Sequence, residues 1–340
     1  MSIKLKKLDE QVVVITGATS GIGLATARMA AEKGAKLVLA ARDGDALDTL
    51  AHEMRQRGVE AVTVAADVGE QADVKRIGDK AIERFGRVDT WINNAGSSVY
   101  GTNEQVALED MQRVMQTNFW GVVQGSLEAV KLLRAHGGGA IINLGSEVSD
   151  RSIPLQGTYA ASKHAIKAFT ESLRMELEKD EAPISLTLIK PAAIATPFPR
   201  HAKNYMDKEP TLPQPIYAPE LAAETILYAA EHPQRDLFVG GQAKFMSIVS
   251  QLLPRSTDRL MRAVFFGAQK ADQPTLPARR DALHSPDARH QLRQRASIAH
   301  RVVEHSAYLT AVKNPAATKT LLAGGVLLAA WALTRRPQRS

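Results

Sequence analysis

Gln11-Val-Val-Val-Ile-Thr16-Gly17-Ala-Thr-Ser-Gly21-Ile-Gly23 is the stretch that decides the fold of this 340-residue chain. Its first six residues form a largely β-branched apolar run, the pattern of a short buried strand. A glycine turn follows at once. Leu24, Ala27, Met29 and Ala30 then continue in a helix-favouring pattern as far as Lys33-Gly34. Strand, glycine turn and helix in that order make a phosphate-binding site. The glycines let the backbone approach, and the helix N-terminus presents free N–H groups and a positive dipole end to a pyrophosphate. The spacing is G-x-x-x-G-x-G rather than the commoner G-x-G-x-x-G.

Outward from this unit the chain alternates. Strands are predicted at 12–16, 36–40, 60–65, 88–93, 139–144, 184–190 and 236–239, with helices at 21–33, 43–57, 70–86, 104–135, 157–180 and 218–231 between them. Strands separated by helical spans pair in parallel through right-handed crossovers. The expected fold class is therefore α/β, a doubly wound parallel sheet, with a C-terminal helical and flexible extension. Ligands on such sheets bind beyond the carboxyl ends of the strands.

Tyr159-Ala-Ala-Ser-Lys163 places a phenol and an ammonium four residues apart, on one helix face and within about 5–6 Å at Cβ. A nearby ammonium favours the phenolate and lowers a pKa that otherwise stands near ~10. A tyrosine so adjusted can exchange a proton with an alkoxide near neutral pH. The pair by itself is equally readable as a packed ring beside a solvated lysine stem.

Thr16-Gly17-Ala18-Thr19-Ser20-Gly21-Ile22-Gly23, Asn93-Asn94-Ala95-Gly96, Asn118, Ser146 and Tyr159-x-x-x-Lys163 together resemble the short-chain dehydrogenase/reductase family in order and spacing. The resemblance runs from about residue 8 to 250, and the glycine spacing is similar to that of its compact, one-domain, Rossmann-like branch. It implies an oxidoreductase that moves a hydride between a nicotinamide cofactor and a carbonyl or alcohol. It assigns Ser146 to the substrate carbonyl, Tyr159 to proton transfer and Lys163 to the tyrosine pKa and the nicotinamide ribose. Asn118 is assigned to a water that relays protons toward Lys163. For the cofactor it implies Gly17, Ser20, Gly21, Ile22 and Gly23 at the pyrophosphate and Asp67-Val68 at the adenine. Asn94-Ala95-Gly96 fall on the adenosine side, Thr196 at the carboxamide. Asn94 is also readable as a tie between neighbouring strands.

The second strand ends Ala40-Ala41-Arg42-Asp43. An acidic residue there would bind a ribose 2′-hydroxyl and repel a 2′-phosphate. Ala41 occupies that place, and the Arg42 guanidinium that follows suits a phosphate. NADP(H) is therefore expected over NAD(H), with Asp43 as a helix cap. Ala192 stands in Lys190-Pro191-Ala192 where many family members carry Pro-Gly, which removes a residue tolerant of positive φ. His164 and His201 lack the spacing of a metal site and are read as structural or solvated; no metal is expected.

Charge divides the chain unevenly. Up to residue 253 there are 28 Lys and Arg against 31 Asp and Glu; beyond it there are 15 against 5. Four regions follow: a catalytic domain over 1–253, an apolar lid or packing helix over 254–267, a basic, partly flexible linker over 268–314, and a membrane-anchoring helix over 315–336. Residues 199–217, rich in proline and polar groups, suit a loop over the cleft. Apolar residues from Phe245 to Phe266, if they form a lid, favour a lipid-like substrate; a dimer contact or plain core fits them equally. Thr320–Thr334 carries no charge and covers about 22 Å as a helix, with Trp331 near one end. Counted from Pro315 the span reaches twenty residues.

The linker's arginines suit anionic headgroups, and no groove-reading or stacking motif points to nucleic acid. With no cysteine the chain has neither disulfides nor thiol chemistry. Lys4, Lys6 and Lys7 precede an apolar run in the manner of a signal peptide, but that run is the first strand of the nucleotide site. A catalytic domain facing the cytoplasm, membrane association through the C-terminus and a homo-oligomeric assembly are expected. The competing class is a nucleotide-sensing scaffold with little turnover, against which the set Asn118, Ser146, Tyr159 and Lys163 argues.

Overall fold

Seven short runs rich in valine, isoleucine and leucine become one parallel sheet in the computed structural model, which describes residues 3–277, 279–297, 300–314 and 318. The strands are β1 (Val12–Thr16), β2 (Lys36–Ala41), β3 (Ala61–Ala65), β4 (Thr90–Asn93), β5 (Gly139–Leu144), β6 (Ile184–Pro191) and β7 (Asp236–Val239). Their order is β7-β6-β5-β4-β1-β2-β3. The order reverses between β1 and β4, which opens a crevice at their carboxyl ends. Helices cover both faces: α1 (Gly21–Glu32), α2 (Gly44–Gln56), α3 (Gln71–Phe85), α4 (Leu108–Met115), α5 (Gly121–Ala135), α6 (Gly157–Lys179) and α7 (Pro219–Glu231).

Alternation along the strands builds two cores. Val13 and Ile15 point with Leu37, Leu39 and Ile142 toward α1 and α7, while Val12 and Val14 join Val38, Trp91 and Ile141 under α3 and α5. A one-residue slip would exchange these sets, so burial on both faces fixes the register. Asn93 and Asn143 face each other on β4 and β5; the Asn93 amide donates to the Asn143 side-chain carbonyl at 2.9 Å and to the Ser126 hydroxyl at 3.1 Å, and the Asn143 amide donates to the Thr170 hydroxyl at 3.0 Å. These buried amides are thereby satisfied.

The expected single helix over 104–135 is interrupted. Gln116–Trp120 forms a π-turn between α4 and α5, and Asn118 sits in it. Such turns insert an extra residue and re-aim the side chains that follow.

The basic segment beyond 267 is not a linker. After α8 (Gly241–Leu252) and α9 (Pro254–Ala268), Lys270–Pro274 pairs antiparallel with Lys208–Pro210, and Val302–Val303 pairs parallel with Ile216–Tyr217. Leu283 is fully buried, and Leu309 of α10 (Ala307–Lys313) joins the core beneath β7. Two of its arginines pair with the catalytic domain: Arg279 meets Glu209 at 3.2 Å and Arg295 meets Glu220 at 2.7 Å. Leu309→Ala should therefore lower unfolding stability by about 3 kcal/mol, read from a denaturant midpoint; a linker residue would leave the midpoint unmoved. Among the described residues no helix is long and apolar enough to cross a membrane. The anchor expected over 315–336 lies, apart from Thr318, outside the described residues.

Candidate active site

The glycine turn after β1 has the geometry that its sequence demands. Gly17 adopts φ +67°, and a Cβ there would stand 2.9 Å from the Ala95 Cα. A Cβ on Gly23 would fall 2.1 Å from the Gly17 carbonyl oxygen. Only glycine allows this close approach of turn, helix and the β4 end. The Asn94 amide donates to the Thr16 carbonyl at 2.9 Å and its backbone N–H donates to the Thr16 hydroxyl at 3.0 Å, so it does tie the two strands.

Two cavities open along the crevice. The larger, of about 210 Å³, reaches from Gly17, Ser20, Gly21 and Ile22 past Asn94, Ala95 and Gly96 to Ser146, Tyr159, Lys163 and Thr196. The smaller, of about 110 Å³, adds Arg42, Asp67 and Val68, and shares Gly17, Ser20, Ala95 and Gly96 with the first. Together they hold every residue expected at the site except Gly23, which acts by packing, and Asn118. The buried hydroxyls of Ser97 and Thr117 line the smaller cavity and have no hydrogen-bond partner among the described residues. Orphaned hydroxyls and a glycine cradle fit a nucleotide diphosphate with its riboses.

The proton-transfer group is assembled by α6 and the end of β5. Ser146 begins a short 3₁₀ turn, Glu147–Ser149, and its hydroxyl accepts from the Val148 N–H at 3.3 Å. Tyr159 on α6 lines the same cavity beside it. Its phenol is pushed up to about 12, burial being the main cause; Ser146's hydroxyl pulls it down and Glu147's charge pushes it up. Lys163 Nζ stands 5.6 Å from the Tyr159 ring centre and donates to the Leu144 carbonyl at 2.7 Å. Burial also pushes Lys163 down, to about 7. The expected lowering of the tyrosine pKa by this lysine is thus absent. A lysine that itself sheds charge on burial does little for the phenolate, and desolvation prevails.

Asn118 is fully buried. Its amide donates to the Ser97 carbonyl and the Ser162 hydroxyl, both at 2.9 Å, and its carbonyl receives the Ser97 N–H at 2.8 Å. In this arrangement it locks the loop after β4 to α6. A Cβ at Gly96 would lie 3.4 Å from Asn118 Oδ1 and 3.9 Å from Lys163 Nζ, so the three meet at one point. Ala192 needs no glycine: its φ is negative and its N–H donates to the Val239 carbonyl at 3.1 Å.

On the adenosine side the expected residues line the smaller cavity and also bond within the chain. Asp43 caps α2 as predicted, accepting from Ala46 N–H at 3.0 Å. Arg42, expected to face a phosphate, donates to the Leu283 carbonyl at 3.0 Å and to the Ala282 carbonyl. Burial and the neighbouring Arg113 lower its pKa. Asp67 pairs with Arg113 and caps Gly69 N–H at 2.9 Å. Beyond them the tail crosses the glycine turn. Leu292 N–H donates to the Thr19 carbonyl at 2.7 Å, and the Arg293 carbonyl accepts from Gly21 N–H at 3.0 Å. Leu292 holds φ +56°, at a cost of about 1–2 kcal/mol for a non-glycine residue. One of the first N–H groups of α1 is therefore held by the chain's own carbonyl.

Three lining residues escaped the sequence reading. His201, read as structural or solvated, lines both cavities, and burial pushes it down to about 4. The Phe198 ring lies 5.5 Å from that of Tyr159, tilted by 55°. Glu147 lines the larger cavity and burial pushes its carboxyl up to about 7. Only its position directly after Ser146 could have signalled it. The expected lid over 245–266 does not line either cavity; Phe245, Leu252, Leu260 and Phe266 are exposed, and Phe198, His201, Leu212 and Pro213 form that wall instead.

Glu147 also sets a pH dependence. Its folded pKa of about 7 lies above the ordinary 4.5, so between those values the folded state keeps a proton that the unfolded state has lost. Stability from this group is full below pH 4.5, falls as pH rises to about 7, and stays low above. Glu147→Gln should match the parent at low pH and exceed it above pH 7, by on the order of 3 kcal/mol. Denaturation midpoints at several pH values check this.

Comparison with known proteins agrees with this geometry. The family model described as short chain dehydrogenase matches residues 11–206. An uncharacterized oxidoreductase of Bacillus subtilis, YxnA, is 48% identical over 98% of this chain and 93% of its own length. An alcohol dehydrogenase from Thermococcus sibiricus, solved with 5-hydroxy-NADP, is 30% identical with a TM-score of 0.59, over 67% of this chain and 95% of its own. A short-chain dehydrogenase/reductase from Burkholderia phymatum, solved with NAD, is 26% identical with a TM-score of 0.66, over 80% of this chain and all of its own. The chain is a member of the short-chain dehydrogenase/reductase family of oxidoreductases.

Proposed function

We propose that this oxidoreductase reduces a carbonyl compound with NADPH, with Tyr159 as the proton donor. The observation that carries the reading is the meeting of Ser146, Tyr159 and Lys163 on one cavity wall, with the tyrosine holding its proton at neutral pH. A protonated phenol is the form that carbonyl reduction consumes. Ser146's hydroxyl orients the carbonyl oxygen, and Tyr159 delivers its proton to that oxygen as charge develops there. Lys163, tethered to the Leu144 carbonyl, holds the phenol's far side, and Asn118 fixes the loop that carries Gly96 beside it. A bound nicotinamide supplies the hydride.

Preference for NADP(H) over NAD(H) is supported by Ala41 at the β2 end and by the Arg42 guanidinium on the adenosine cavity. Arg42→Ala should raise the KM for NADPH at least tenfold and leave that for NADH within twofold; equal effects on both would remove the preference. Tyr100, Val148, Phe198 and Leu212 give the substrate end apolar walls, in favour of an apolar substrate body. Association with a membrane, with the catalytic domain on its cytoplasmic side, is supported by the uncharged run 320–334 and by exposed Phe245 and Leu252. Exposed Leu127 on α5 and Met175 on α6 favour a homo-oligomer. Cofactor turnover over carbonyl and alcohol panels tests the reaction.

A further inference from the structure

Among the described residues Glu147 is the one acidic side chain lining the larger cavity, directly after Ser146. Among the described residues it has neither an ion pair nor a side-chain hydrogen bond. The charged and titratable groups around it do not neutralise it. Lys163 is turned to the Leu144 carbonyl. His201, which lines the same cavity, is neutral at pH 7, because burial pushes its pKa down to about 4. Tyr159 and Tyr217 lie close enough to feel the carboxylate, and both are pushed up by it. A carboxylate so placed destabilises the fold above neutral pH and opposes ionisation of the proton-transfer tyrosine. Neither cost is offset by any partner that the described chain supplies, whereas an N–H or O–H group in the cavity would offset both.

We propose that Glu147 is a specificity-determining residue that accepts a hydrogen bond from a hydroxyl or ammonium group on the substrate, distinct from the carbonyl that is reduced. The inference rests on the carbonyl-reductase reading and narrows it. The substrate is an apolar body bearing one hydrogen-bond donor, with Tyr100, Val148, Phe198 and Leu212 against the body and Glu147 against the donor. A ketone with only hydrocarbon at that place leaves the carboxylate buried and unpaired, which is the situation that gives strong discrimination.

The test uses the full-length protein with NADPH at pH 8 and acetophenones bearing ethyl, hydroxymethyl or aminomethyl at the meta or para position. The three substituents are close in size and differ in donor and charge. The wild type should prefer hydroxymethyl or aminomethyl over ethyl by at least tenfold in kcat/KM at one ring position. Glu147→Gln, which keeps an accepting oxygen without charge, should lose the aminomethyl preference and hold the hydroxymethyl value within threefold. Glu147→Leu should lose both and favour ethyl. Calorimetric titration of the matching 1-phenylethanols should give the same order in binding, independent of turnover. An ethyl compound equal to or better than both others in the wild type, in turnover or in binding, overturns the proposal. Tyr159→Phe is run alongside: if it abolishes turnover while the substituents make no difference, Glu147's role fails and the reductase reading stands. If Tyr159→Phe turns over normally, it is the reductase reading that fails.

Discussion

Tyr159→Phe is expected to lower kcat/KM for carbonyl reduction by about a hundredfold to ten-thousandfold, the span typical of losing a positioned proton donor. The substitution removes one oxygen and leaves the ring, which packs 5.5 Å from Phe198, so the fold should survive with little change in melting temperature. Of its two partners in the cavity, Lys163 Nζ is turned to the Leu144 carbonyl, and Ser146's hydroxyl can hydrogen-bond the carbonyl oxygen but is a much weaker acid than a phenol. Nucleotide affinity, read by fluorescence titration, should stay within a few fold. A variant that binds nucleotide normally and still turns over at the wild-type rate would remove Tyr159 from the chemistry.

Gly23→Ala should have one of the largest effects of any single methyl added at the nucleotide turn. The added Cβ would sit 2.1 Å from the Gly17 carbonyl oxygen and 2.5 Å from Asn94 Nδ2. Neither can retreat cheaply, because Gly17 is in the turn and Asn94 holds Thr16's carbonyl. The expected outcome is a loss of about 3 kcal/mol in stability, together with at least a tenfold loss in nucleotide affinity. Gly267→Ala is the control with opposite sign. It lies in α9 with no atom within 4 Å of its added Cβ, and should gain up to about 1 kcal/mol from helix propensity. Denaturant melts of the two variants check both signs.

The parts of this molecule that were readable in its sequence are those held by local pattern. Apolar runs bounded by glycines gave the seven strands to within about two residues, because burial on both faces leaves a continuous apolar signature. The π-turn at Gln116–Trp120 was hidden in a helical span, since one extra residue barely disturbs a 3.6-residue period. Residues 268–296 misled for a clear reason. Prolines and arginines there suggest solvent, yet the segment is held by strand pairing to 208–210 and by carbonyls accepting from Arg42, contacts with residues far away in sequence. Glu147 and His201 were missed likewise: their place depends on which walls meet in space. The tyrosine's neighbours were readable, but the direction of its pKa was not, because burial of Lys163 is a tertiary fact.

The bracket formed by Leu292 and Arg293 on Thr19 and Gly21 joins positions 272 residues apart between Gly21 and Arg293. During synthesis the glycine turn emerges first, and domains begin to fold from their N-terminal side. Its covering segment arrives only when most of the chain has been made. Contacts of such separation are among the slowest to form. A nascent chain therefore displays an uncovered nucleotide cradle for most of its time on the ribosome, and one rim of the mature cleft is supplied by its own late-arriving residues.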